Sequence, residues 1–143
     1  MEQPFVEYHL ENNSLHVFTF HNNSHKAAEE YMRLQNEALE MWIIDNHADE
    51  PFRMVIDISQ SGLFPISHTL SHSLSLLRKY QQIPNRYFAY ITSNRNDLLM
   101  LRQLAEGGGK DWEERRRTFP PEELSEAKAW LMGVIPNSSK ESN

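Results

Sequence analysis

The chain has 143 residues, of which 39% are apolar and 24% charged, the proportions of one folded domain rather than of a disordered segment. A formal net charge of −6 disfavours a phosphate backbone as partner, so general nucleic-acid binding is not expected. The absence of cysteine excludes disulfides, thiolate metal sites and a cysteine nucleophile.

Residues 1–10 hold Glu2, Glu7 and His9 and no apolar run, so neither a signal peptide nor a membrane span is read there, and a cytoplasmic address is expected. From Phe5 to Leu10 the pattern alternates, with Val6, Tyr8 and Leu10 on one face and Glu7 and His9 on the other. Asn12-Asn13-Ser14 supplies a tight turn, and Leu15–Phe20 a second strand, giving an antiparallel hairpin. Asn22 to Ser24 offer N-caps for a long amphipathic helix ending near Asn46-His47. Its inner stripe is Ala28, Tyr31, Met32, Ala38, Leu39, Trp42 and Ile43. Phe52–Ile58 is nearly all apolar, as in a central parallel strand buried on both faces. Pro65 opens a second helix to about Tyr80, striped by Ile66, Leu70, Leu74 and Leu77. Tyr87–Thr92 is the next strand, and Asn96 or Asp97 caps a leucine-rich helix that Gly107 can terminate. Arg115–Phe119 reads as the last strand. Pro120-Pro121-Glu122-Glu123 begins a final helix with Leu124, Ala127 and Leu131 inward. The expected order is β-β-α-β-α-β-α-β-α, an α/β domain over residues 1–135 with a hairpin, parallel crossovers and a fraying tail over 136–143.

Two segments resemble a known family. Met54-Val55-Ile56-Asp57-Ile58-Ser59 looks like the hydrophobic-Asp-Leu-Ser strand of STAS proteins. Arg117-Thr118-Phe119-Pro120-Pro121-Glu122-Glu123-Leu124-Ser125-Glu126-Ala127-Lys128-Ala129-Trp130-Leu131 is similar to the phenylalanine-ended strand and Trp-Leu helix of SpoIIAA-like proteins. With the element order, the resemblance implies a single-domain SpoIIAA-like, STAS-related mixed sheet. It also implies a non-enzymatic regulatory module that binds a protein partner in bacterial signalling. Some members resemble lipid-binding CRAL-TRIO domains in fold, which makes a small hydrophobic or lipid-like ligand the alternative. STAS antagonists carry a phosphorylatable serine at the start of the helix after this strand. Ser61-Gly62-Leu63 matches that turn in part, but the preceding Asp is missing and the spacing is shorter. Asp57, Ser59, Ser61 and Ser67 are the binding or regulatory candidates, within a region running from Ser59 to Ser67. A homodimer is a second expectation, since long amphipathic helices and open sheet edges pair readily.

Other constellations are weighed against plainer readings. His68 and His72 share a helix face, the spacing of two-histidine metal sites, but lie opposite the leucine stripe with no third ligand placed, so no metal or other cofactor is expected. Asp57 near a strand's carboxyl end suits a ligand site or, with a nearby histidine, an enzyme; the plainer reading has it accepting from the amides of Gln60 to Gly62. His9 and His16 are candidate cross-strand neighbours. Gly107-Gly108-Gly109-Lys110 follows a helix and precedes a strand, the wrong context for a phosphate loop. Arg115-Arg116-Arg117 does not form one patch on a strand, because Arg116 points away from its neighbours, and local ion pairing is the role expected of the triplet.

Overall fold

The computed structural model describes residues 4–65, 80, 82–107 and 114–134. Asn12 and Asn13 both take positive φ, 51° and 58°, in a three-residue hairpin loop, 12–14, in which the Ser14 amide donates to the Glu11 carbonyl at 3.0 Å. They join β1 (Val6–Glu11) to β2 (Leu15–Phe20) in antiparallel register, Val6 opposite Phe20. Ser24 then caps α1 (His25–Ile44): its side-chain oxygen accepts from the Ala27 amide at 3.2 Å, and Asn22 Oδ1 accepts from the Ser24 amide at 2.8 Å. The helix stops where Asn46 turns left-handed at φ 69°.

Next come β3 (Phe52–Asp57), β4 (Arg86–Ile91), α2 (Arg95–Gly107), β5 (Arg116–Phe119), a 3₁₀ turn (Pro121–Glu123) and α3 (Leu124–Met132). The five strands lie in chain order, and every pair after the hairpin is parallel. Side chains alternate across this sheet and feed two cores. Phe18, Phe20, Met54, Ile56 and Phe88 pack beneath α1 with Leu101 of α2. Leu15, Val17, Val55, Ala89 and Ile91 pack beneath Ala127 and Leu131 of α3. The result is three layers, with α1 and α2 on one face and α3 on the other.

The α/β mixed sheet and its antiparallel hairpin are therefore as expected. The helix expected from Pro65 to Tyr80 falls largely on 66–79, and the tail on 135–143, outside the described residues. The last strand begins at Arg116 rather than Arg115, because parallel pairing starts with Phe88 opposite Arg116. The cap of α2 is Asn94, not Asn96 or Asp97. Asn94 Oδ1 accepts from the amides of Asn96 at 2.9 Å and Asp97 at 3.1 Å, which frees Asp97 for a tertiary contact. Leu10, expected inward, is 45% exposed because it ends an edge strand.

Arg53 couples the layers. From β3 it donates through Nε to the Leu131 carbonyl and through Nη2 to the Val134 carbonyl, both at 2.8 Å. The Leu131 carbonyl lies in the last turn of α3, at the negative end of its dipole, where it also accepts from the Val134 amide at 3.2 Å, and the Val134 carbonyl lies two residues beyond the helix. Lys128 of α3 pairs with Glu11 of β1 at 2.9 Å, tying the same helix to the hairpin.

Candidate functional site

The residues nominated from sequence converge on the loop that leaves the carboxyl end of β3. Asp57 Oδ1 accepts from both the amide of Ser59 at 3.0 Å and its hydroxyl at 2.6 Å. This corrects the expected acceptance from Gln60 to Gly62: the Gly62 amide donates instead to the Ile58 carbonyl at 2.9 Å. A turn closed by the backbone leaves the carboxylate to the nearer serine. Gly62 stands at φ 85°, a left-handed conformation that favours glycine. A β-carbon there would lie 3.5 Å from Asn23 Nδ2 and 3.7 Å from Asp97 Oδ2. One residue on, the Leu63 amide donates to Asp97 Oδ2 at 3.2 Å.

The loop 59–63 is thus pinned at one end by Asp57 and at the other by Asp97. Ser59 is exposed and Ser61 half-buried, with the Ser61 hydroxyl donating to the Gly62 carbonyl at 2.9 Å. Phe64 then enters the core and stacks on Phe20 at 4.5 Å. Asn23 from the β2–α1 turn stands beside this loop. Asp57, Ser59, Ser61 and Asp97 form a polar ledge at this end of the sheet. Ser67, His68 and His72 lie outside the described residues.

His9 and His16 separate from Asp57. In β2, His16 sits opposite Met54, three positions before the residue that faces Asp57, and with Phe18 and Phe20 it faces the core beneath α1, opposite to the face that Asp57 takes by alternation. His9 faces Val17 and His16 faces Leu10, so the two are not cross-strand partners and point to opposite faces. His16 is 2% exposed, stacked on Phe52 at 4.0 Å and edge-on to Trp42 at 5.3 Å. Its Nδ1 lies 2.8 Å from the Tyr8 hydroxyl. Burial among these rings pushes its pKa down to about 4, so the imidazole is neutral at physiological pH. Among the described residues, no group of three or more histidines, aspartates or glutamates could hold a metal ion.

A second feature escaped the sequence. At the opposite, amino end of the sheet, Ile83, Pro84, Asn85, Arg86, Phe88, Arg115 and Arg116 line a cleft of ≈ 180 Å³. Arg86 and Arg116 open neighbouring strands and flank the Phe88 ring, their guanidinium carbons 5.9 and 4.2 Å from its centroid. Arg86 also donates to Gln35 Oε1 of α1 at 3.1 Å, and Arg115 to Asn85 Oδ1 at 2.9 Å. Arg117 lies on the other face, 5.2 Å over Trp130. The triplet divides as its alternation requires: Arg116 lies over Phe88, and Arg115 joins it through the turn before the strand, while Asp111 and Glu113, acids of the expected ion pairing, lie outside the described residues. Parallel register brings in Arg86, and no local pattern in the sequence announces that register.

Comparison with family models, with curated proteins and with solved structures returned no match. No helix among the described residues is long and apolar enough to cross a membrane.

Proposed function

We propose that this domain is a regulatory module of the SpoIIAA-like kind that docks a protein partner on its carboxyl-end ledge, without catalysis, in bacterial signalling. The observation that carries the reading is the double pinning of loop 59–63. Asp57 fixes its entry through Ser59, and Asp97 fixes its exit through the Leu63 amide. A loop held in one conformation while presenting hydroxyls to solvent loses little entropy when a partner binds. The resemblance of Met54–Ser59 to the STAS strand points to the same loop.

The test is site-specific photocrosslinking in the native host. A benzophenone side chain at Ser61 is expected to give one discrete adduct that the purified partner reproduces. The same probe at Glu37, on the outward face of α1, is expected to give none. An adduct of twice the chain's mass would assign the ledge to self-association instead. Identical patterns from both positions would overturn the reading.

A further inference from the structure

We propose that a second copy of this chain pairs antiparallel with the open edge of β1, about a two-fold axis at Tyr8, so that Glu7 of each copy faces His9 of the other. This pairing is separate from the ledge and stands or falls independently of it.

Among the described strands, β1 is outermost and bonds to β2 alone. Antiparallel neighbours exchange hydrogen bonds at every second opposed pair, and here the His21 amide donates to the Phe5 carbonyl at 2.8 Å. The bonded pairs therefore continue through Glu7 with Thr19, His9 with Val17 and Glu11 with Leu15. The peptide groups of Val6, Tyr8 and Leu10 point the other way, along the open edge, and have no partner among the described residues. A row of free donors and acceptors of this kind is a template for another strand.

Alternation gives the edge two faces. Val6, Tyr8 and Leu10 lie on the α1 side, where Leu10 is 45% exposed. Glu7, His9 and Glu11 lie on the α3 side, where Glu11 meets Lys128. Glu7 has His21 at 3.5 Å and His9 has Glu11 at 3.1 Å, yet the side chains of Glu7 and His9 remain 53% and 54% exposed.

Charge then selects the register. Two copies bond fully only where outward peptide groups oppose each other. With the axis at Tyr8, Val6 opposes Leu10 of the second copy and Tyr8 opposes its own counterpart, so every outward residue is bonded. The same register sets Glu7 against His9 twice, a carboxylate opposite an imidazole in the closely spaced, non-bonded kind of pair. It also lays Val6 beside the exposed Leu10. An axis at Glu7 would oppose Glu7 to itself, and an axis at His9 would oppose Glu7 to Glu11. Like charges directly opposite are destabilising, so both neighbouring registers are disfavoured. A two-fold axis repeats each favourable contact and closes the assembly at two copies.

Sedimentation equilibrium of the full chain over a concentration series tests the pairing. A reversible rise toward twice the chain's mass is expected. His9→Glu sets acid against acid at both symmetry-related places and is expected to weaken association about tenfold. Combining it with Glu7→Lys is expected to restore association. The chain has no cysteine, so introduced thiols report the register directly. Oxidising Glu7→Cys mixed with His9→Cys should give a linked dimer faster than either variant alone, because only the mixture brings two thiols opposite each other. The inference is overturned by a mass that stays monomeric, by equal association of the parent and His9→Glu, or by thiols that link as fast in each variant alone as in the mixture.

Discussion

His16 shows how one side chain reports the packing of a whole layer. Its pKa is lowered from 6.5 to about 4 by burial, so below pH 6.5 the unfolded chain takes up a proton that the folded chain refuses. Stability therefore falls as pH drops from 6.5 to about 4 and levels off below. The loss amounts to about 3 kcal/mol from this residue, at 1.36 kcal/mol per pH unit. Urea denaturation at pH 7 and pH 4 should show it, and His16→Phe should remove that part of the slope. An unchanged slope would mean that the ring is solvated. At Gly62 the constraint is the backbone, since a β-carbon meets only ordinary contacts at 3.5 and 3.7 Å. Gly62→Ala should therefore cost about 1–2 kcal/mol, the left-handed penalty of an L-residue, read as a lower urea midpoint.

Among the elements, α3 depends most on a single distant residue. Arg53 in β3 donates to the Leu131 carbonyl in the last turn of α3 and to the Val134 carbonyl just beyond it, and each charge-assisted hydrogen bond contributes about 1.5–3 kcal/mol. Arg53→Met should destabilise the domain by about 2–3 kcal/mol once the retained packing of the stem is allowed for. It should also raise amide exchange in Ala127–Met132 ahead of α1. Uniform acceleration across both helices would show that the helix end is not where Arg53 acts. The elements themselves were legible because their signals are local. The paired asparagines predicted the hairpin turn, the stretch Asn22 to Ser24 the capped start of α1, and the apolar run Phe52–Ile58 a strand covered on both sides. Arg53 was opaque because its partners lie 78 and 81 residues away, and no periodicity records such a contact.

At the scale of the whole molecule, sequential strand order makes the two ends of the sheet different. The carboxyl end carries the ledge, pinned by acids, and the amino end the arginine cleft. Asp57, Ser59 and Ser61 were legible as a site because all three lie within five residues of one strand end. Asp97 and Gly62 were not, since their roles arise only when α2 approaches the loop after β3. The arginine cleft depends wholly on the register of β4 against β5, which only the folded sheet supplies. Two-sided packing gives a further expectation. Leu131 is fully buried in the core under α3, so Leu131→Ala should cost about 2–5 kcal/mol. That cost should appear as a lower urea midpoint for the whole domain, and an unchanged midpoint would contradict the burial.

The ledge reading rests on the loop being fixed, so the most direct measurement loosens it without removing it. Asp57→Ala withdraws both hydrogen bonds to Ser59 and leaves Ser61 in place. Crosslinking yield from a probe at position 61 should fall several-fold in that background, with the far-ultraviolet spectrum unchanged. A yield equal to that of the parent chain would contradict docking on a pre-formed loop.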